Sequence, residues 1–395
     1  MKIVQINSMC GSGSTGRICV GISEMLRSKG HDSFVFYGLG HSDYKYSEKI
    51  SSTPDYYLHN ISSRLFDCEG LCSVQTTRKL INRLIEIKPD VVHLHNLHGH
   101  YINYKLLFEF IILNPQISVV VTMHDCWTFT GHCAHFINNG CDNWKTGCRA
   151  CPFPNSYPST SFMRRSRKNY LLKQTLYEPI KERMVLVPVS YWLNSFLPDS
   201  MFNGFRSVVV HNGIDLSVFH PDKSKKEKIV LGVANPWSAY KGLEDFYQLR
   251  KLLPIDTSIV LVGLSDEQLK TLPEGIVGHP PTSSIQELIR YYSTASVLVN
   301  TTYCDNYPTV NLEAIACGTP VITYKTGGSP ESISEGCGMV VPQGDVVAMA
   351  DAVRVVMSKE EHHYTHNCIE YAKAHFNKDA CFLGYLDVYQ LFNKE

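Results

Sequence analysis

The stretch Asp305-Asn306-Tyr307-Pro308-Thr309-Val310-Asn311-Leu312-Glu313-Ala314-Ile315-Ala316-Cys317-Gly318-Thr319-Pro320-Val321-Ile322 decides how the rest of the chain is read. Two carboxylates stand eight positions apart. Asp305 falls in a loop, and Glu313 falls on the helix that the spacing predicts over Thr309–Cys317. Gly318 stops that helix, and Pro320 opens a short apolar strand, Val321–Thr323. A helix N-terminus beside paired carboxylates suits a nucleotide. The free amides and the helix dipole favour a diphosphate, and the carboxylates accept from sugar or ribose hydroxyls.

Upstream and downstream, apolar strands alternate with helices. Strands are expected at Ile229–Val233, Ser258–Val262 and Ser296–Asn300, with helices at Leu243–Leu253, Ile285–Tyr292 and Val346–Met357. An earlier series has strands at Met1–Asn7, Ser33–Tyr37, Val91–His95, Val119–Met123 and Val185–Val189. Its helices fall at Arg17–Lys29, Thr77–Ile87 and Leu106–Leu113. The lysine-rich segment Pro221–Lys228 separates the two series, and His362–Phe392 reads as helical. Short continuous apolar strands alternating with helices predict parallel sheets with crossover helices. The fold class is α/β, with two doubly wound domains and ligands expected at the carboxyl ends of the strands, in the cleft that such domains face.

The chain's 395 residues suffice for two cores. Hydrophobic content of 44% and charged content of 19% fit a globular protein. Net charge is zero, but residues 1–205 carry 21 Lys+Arg against 15 Asp+Glu and residues 206–395 carry 16 against 22. A basic half and an acidic half suit two domains that meet different ligands, and nothing points to nucleic acid. Met1-Lys2 runs straight into a strand, so no secretory leader is expected, and no apolar run is long enough to span a membrane. Fourteen cysteines in such a chain predict thiols or metal in a reducing, cytoplasmic compartment.

Gly11-Ser12-Gly13-Ser14-Thr15-Gly16 fits G-x-G-x-x-G between a strand and a helix. A dinucleotide site would need an acidic residue at the end of the second strand, and Gly38-Leu39-Gly40 stands there instead. Amides approaching a sugar diphosphate or an acceptor are the better reading. A tight turn alone would also explain the glycines. Val91 to His100 holds His93, His95, His98 and His100 with no carboxylate close in sequence, so polar lining or hydrogen-bonded structural histidines are expected before a metal. Val119–Met123 delivers His124 and Asp125 to a strand end. His124 can hydrogen-bond at that end or be satisfied in the core, and Asp125 can cap a turn.

Cys133, Cys141, Cys148 and Cys151 fall within nineteen residues, and Cys148-Arg149-Ala150-Cys151 has knuckle spacing. Four thiolates can close a tetrahedral structural zinc site in a loop with little core of its own. Free thiols or a disulfide are the alternatives. Phe162 to Lys173 mixes basic and apolar residues. It reads either as a solvated helix face or as a contact for anionic lipid or a lipid diphosphate.

Taken together, the 305–313 block, Gly327-Gly328-Ser329-Pro330-Glu331, Val210-His211-Asn212-Gly213-Ile214-Asp215, Ser190-Tyr191-Trp192-Leu193 and Lys241-Gly242 resemble the GT4 family of retaining glycosyltransferases over almost the whole chain. That family has Glu at both ends of its acidic motif, and Asp305 is shorter by one methylene. It also has an Arg five residues before the Lys, where this chain has Pro236. The resemblance implies a GT-B fold with an acceptor-binding domain at 1–205 and a cysteine-rich insert at about 126–160. The nucleotide-sugar domain would be 206–375, and a last helix, 376–395, would pack back on the first domain. It implies transfer, with retention, from a nucleotide-diphosphate sugar to a saccharide or lipid-linked saccharide acceptor in cell-surface polysaccharide biosynthesis. The enzyme would be cytoplasmic or peripheral to the inner membrane face. His124, Lys241 and Asp305 are the implied catalytic residues. Gly13, Gly16, Arg17, Lys241, Asn306, Tyr307, Thr309, Val310 and Glu313 are the implied donor-binding residues. No cofactor is implied for catalysis, because a cation and a helix dipole meet the leaving diphosphate. Competing readings are a nucleotide-sugar epimerase or phosphorylase on the same fold, a nicotinamide oxidoreductase, and an inactive nucleotide-sugar binder.

Overall fold

A computed structural model describes residues 1–137, 140–360 and 363–393. The chain divides into two units, Met1–His211 with Phe382–Glu395, and Asn212–Cys381. The first unit is a seven-stranded parallel sheet of β1 Lys2–Met9, β2 Asp32–Leu39, β3 Ser47–Lys49, β4 Val91–Leu94, β5 Ser118–Met123, β6 Met184–Pro188 and β7 Arg206–Ser207. Its strand order is β3-β2-β1-β4-β5-β6-β7. Helices α1 Gly13–Ser28, α2 Thr53–Phe66, α3 Val74–Ile87, α4 Tyr104–Leu113, α5 Ser166–Tyr177 and the short α6 Tyr191–Asn194 complete it.

The second unit is a six-stranded parallel sheet of β8 Glu227–Val233, β9 Ser258–Val262, β10 Ile276–His279, β11 Ala295–Asn300, β12 Val321–Tyr324 and β13 Gly338–Val341. Its order is β10-β9-β8-β11-β12-β13. Helices α7 Leu243–Leu252, α8 Asp266–Lys270, α9 Ile285–Thr294, α10 Thr309–Ala316, α11 Val346–Met357 and α12 Thr365–His375 belong to it, and α13 Lys378–Gln390 closes the chain. In each sheet the strand order reverses once, between β1 and β4 and between β8 and β11. Crevices open at the carboxyl ends of such strand pairs.

Central strands are buried on both faces, as their unbroken Val/Ile/Leu runs require. Three differences from the sequence expectations have physical causes. The first turn of α1 begins at Gly13, inside the glycine-rich segment, because Gly11 and Gly13 absorb the positive φ of the turn and leave Ser14-Thr15-Gly16 helical. Helix α2 has no apolar inward stripe to give it away: only His59 and Ser63 are buried. The segment His362–Phe392, expected to be helical, is broken once. Phe376 ends α12, and Asn377 bridges Ile214 before α13 starts; His362 lies outside the described residues.

The end of α13 packs within the first unit. A Cβ on Gly21 of α1 would lie 2.6 Å from a ring carbon of Phe382, and Phe382 is buried. Gly21→Ala should therefore cost about 1–3 kcal/mol by overpacking, read as a lowered denaturant midpoint at unchanged slope. A neutral effect would mean that Phe382 does not seat on α1.

Candidate functional site

In the second unit the site grows from the two strands at the switch point. Strand β8 runs into the loop carrying Lys241, and β11 into the loop carrying Asp305. Gly242 has φ +69°, and a Cβ there would meet the Thr301 carbonyl at 2.3 Å. The close approach lets Thr301 Oγ1 donate to the Lys241 carbonyl at 2.8 Å and the Tyr303 amide donate to the Tyr240 carbonyl at 2.8 Å. With the loops latched, Lys241 Nζ donates to Asp305 Oδ2 at 2.8 Å. Burial pulls the Lys241 ammonium down, but the Asp305 charge and hydrogen bond outweigh it and hold its pKa above the ordinary lysine value. The side chain is a cation at neutral pH.

Helix α10 starts beside Asp305. Pro308 precedes its first turn, and no side chain caps it. Thr309 and Val310 of that turn are partly exposed, whereas Asn306 and Tyr307 are buried. Glu313, one turn on, is buried and accepts from the Tyr292 hydroxyl at 2.8 Å. Asn311 ties the helix to its neighbours: its Oδ1 accepts from Asn300 Nδ2 at 2.8 Å, and its Nδ2 donates to Ser329 Oγ and Ser332 Oγ at 3.1 and 3.0 Å. Gly327 also fits against Asp305, since a Cβ there would fall 1.7 Å from its carbonyl. Lys241, Asp305, Asn306, Tyr307, Thr309, Val310 and Glu313 thus come together at one end of the sheet. A separate cavity in this unit, lined by Ile229, Val260, His279 and Arg290 among others, contains none of them.

Gly13, Gly16, Arg17 and His124 belong to the first unit. Gly16 is buried against the Cys10 backbone, Arg17 is exposed, and no side chain caps α1 at Ser12. Asn7 Nδ2 donates to the Met9 carbonyl at 2.8 Å and to Thr15 Oγ1 at 3.3 Å, fixing the loop. His124 Nε2 lies 3.0 Å from His95 Nδ1, and His95 Nε2 lies 3.1 Å from Gln5 Oε1. His93 bridges Tyr389 and Thr122 at 2.7 Å each. The rings stack His93 on His95 and His95 on His124. Desolvation lowers all three, His93 to about 3 and His124 to about 4, despite Asp125 pulling His124 the other way. His124 is therefore a neutral hydrogen-bonding group at neutral pH.

The histidine run does find carboxylates, which sequence proximity did not reveal. His98 Nε2 meets Asp125 Oδ2 at 2.6 Å, and Asp125 Oδ1 accepts from the Trp127 amide at 2.8 Å, the turn-capping role. His100 pairs with Glu69. Among the described residues, His59, Glu69 and His100 form the group of three whose ligand atoms lie within 4.8 Å of one another. That group is closed by the protein itself. His59 uses one ring nitrogen on Ser73 Oγ and the other on the Gly70 amide, while Glu69 Oε1 accepts from the amides of Gly99 and His100. Cys133, Cys141, Cys148 and Cys151 line one narrow cavity, and all are free thiols.

The profile described as Glycosyltransferase Family 4 matches residues 15–218, and that described as Glycosyl transferases group 1 matches residues 216–375. A protein of Escherichia coli strain K12 named for a glycosyl transferase of colanic acid biosynthesis, WcaC, is 26% identical over 380 residues, 91% of each chain. Sucrose-phosphate synthase of Thermosynechococcus elongatus superposes with TM-score 0.69 at 17% identity, covering all of both chains. Anabaena HepE in complex with UDP-glucose superposes with TM-score 0.66 at 14% identity, covering 99% of this chain and all of that one. Two parallel-sheet α/β units with these neighbours make the fold GT-B. The chain belongs to glycosyltransferase family 4.

The stacked imidazoles set a pH response. An unfolded histidine protonates near 6.5, whereas His93, His95 and His124 resist protonation in the fold. Between these values the unfolded state binds more protons, so stability rises with pH there and is lost as pH falls from about 6.5 towards 4. His98, raised by Asp125 against its own burial, acts with the opposite sign and at higher pH. Thermal unfolding should show the melting temperature falling over that acidic window, with His95→Gln flattening the fall. A flat profile between pH 6.5 and 4.5 would contradict the buried neutral stack.

Proposed function

We propose that the chain transfers a sugar from a nucleotide-diphosphate donor to a saccharide or lipid-linked saccharide acceptor, with retention of configuration and without a catalytic metal. The observation that carries this reading is the Lys241–Asp305 pair at the open N-terminus of α10, with Glu313 one turn along the same helix. The donor's C1–O bond breaks towards the diphosphate, and the acceptor oxygen bonds to C1 on the same face. The acceptor proton passes to the departing phosphate oxygen. Charge gathers on the diphosphate, where Lys241 and the Thr309 and Val310 amides stabilise it. Glu313 accepts from the ribose hydroxyls. Asp305 orients the transferred sugar, and neutral His124 offers the first unit's hydrogen bond to a sugar hydroxyl. Gly13, Gly16 and Arg17 line the approach of acceptor or diphosphate. The names of WcaC and the UDP-glucose complex of HepE support a nucleotide-sugar donor and a polysaccharide pathway.

A membrane-linked acceptor is supported by the outer face of the first unit. Tyr57, Leu58, Ile61 and Leu65 form a solvent-facing apolar stripe on α2, with Leu58 67% exposed. Ser161 and Met163 donate backbone hydrogen bonds to the Arg64 and Leu65 carbonyls, which sets Phe162, 78% exposed, beside that stripe. Arg64, Arg164, Arg167 and Lys168 are exposed around it. Apolar side chains rimmed by cations fit an anionic lipid surface. No helix among the described residues is long and apolar enough to cross a membrane.

Glu313→Ala should weaken donor binding by about 1.5–3 kcal/mol in calorimetry, with the fold retained; unchanged affinity would remove Glu313 from the site. Lys241→Ala should lower kcat on the order of 10²-fold with a smaller change in KM. A change confined to KM would mean that the ammonium binds the ground state and the transition state alike. Sedimentation with phosphatidylglycerol vesicles should capture the chain in low salt, and phosphatidylcholine vesicles should not. Leu58→Ser with Phe162→Ser should release it without altering turnover on a soluble acceptor. Equal behaviour of both lipids, or of variant and parent, would rule the surface out.

A further inference from the structure

We infer that Cys133, Cys141, Cys148 and Cys151 hold one structural zinc ion that orders the segment between β5 and α5. The inference is independent of the transferase reading. Between Phe129 and Ser166 the regular structure among the described residues is 3-10 only, at Ile137 and over Asn143–Lys145. So long a segment without a ladder of its own needs another source of order. An aromatic cluster supplies part of it: Trp144 stacks on Phe136 at 4.9 Å and meets Phe129 edge-on at 5.4 Å. The four thiols line a common cavity beside that cluster.

The backbone is shaped to present sulfur inward. Gly147 has φ +100°, and Cys148 has φ +49°, a left-handed conformation that a non-glycine residue adopts at a cost. The Gly131 amide donates to Cys148 Sγ at 3.2 Å, as amides do towards thiolates. Asn143 Nδ2 donates to the Ala150 carbonyl at 2.7 Å, closing the knuckle, and the Cys148 amide donates to the Asn143 carbonyl at 2.7 Å. Ser166 Oγ donates to the Cys148 carbonyl at 3.0 Å, and a Cβ on Gly131 would strike the Ser166 carbonyl at 2.0 Å. The two ends of the segment are thus locked at the cysteines.

Charge points the same way. Lys173 is buried, which pulls its ammonium down to about 7, and it donates to the carbonyls of Trp127 and Thr130, with no carboxylate among those partners. The nearby carboxylates are already paired, Asp125 with His98 and Asp67 with His132. Four thiols binding one Zn²⁺ release four protons and leave a centre of charge −2, a counter-charge for Lys173. No three of these sulfurs lie within 4.8 Å of one another, so one zinc ion would have to draw them closer.

The test uses the full chain, produced in zinc-supplemented medium and purified without chelator. Elemental analysis should find about one zinc per chain, and X-ray absorption should show sulfur neighbours at about 2.3 Å. Cys148→Ser with Cys151→Ser should lose at least nine-tenths of the metal. Removing zinc from the parent should expose four thiols to titration and speed proteolysis between Gly131 and Pro154 before either sheet is cut. Metal-free protein with four titratable thiols, a disulfide among these cysteines by mass spectrometry, or a nitrogen–oxygen shell matching His59, Glu69 and His100 would overturn the inference. The absorption spectrum of the parent decides even where the variants fail to fold.

Discussion

Lys241 reaches Asp305 because Gly242 carries no side chain. A Cβ at that position would collide with the Thr301 carbonyl at 2.3 Å, and the loops after β8 and β11 would separate. Everything in the second unit's site follows from that approach: the 2.8 Å ion pair, the placement of a lasting cation, and the orientation of α10 behind it. The chain has Pro236 where its family has a second cation, so the proposed diphosphate site relies on Lys241 with the helix amides. Asp305, one methylene shorter than the family's Glu, still meets the ammonium directly. The pair fixes the ammonium beside the first turn of α10, where the proposed diphosphate would sit.

The two units use opposite electrostatic devices at the carboxyl ends of their central strands. In the second, a carboxylate keeps a lysine charged at the switch between β8 and β11. In the first, burial and mutual repulsion keep three stacked imidazoles neutral at the ends of β4 and β5. A cation suits a leaving group that gathers negative charge, and a neutral imidazole suits a sugar hydroxyl that must be oriented without being ionised.

Much of the fold was legible because parallel strands buried on both faces leave continuous apolar runs; Ser258–Val262 and Val346–Met357 fall where their patterns put them. Helix α2 was missed because its apolar residues face outward, and β10 and β13 because each is only four residues long and one of the four is glycine. The 305–313 block was legible because its parts are close in sequence. The partners that define the histidines were not: Glu69 and Asp125 lie 31 and 27 positions from His100 and His98, and only the sheet brings them together. Tyr292, which holds Glu313 from 21 positions away, was hidden for the same reason.

The nucleotide diphosphate is proposed to sit on Lys241 and the first turn of α10. A crystal structure of the chain grown with UDP or GDP, whichever raises its melting temperature, tests it most directly. Phosphate oxygens should lie within hydrogen-bond distance of Lys241 Nζ and of the Thr309 and Val310 amides, with the ribose hydroxyls on Glu313. A nucleotide bound at Gly11–Gly16, or anywhere that leaves Lys241 paired with Asp305 and Glu313 without a ribose, would contradict it.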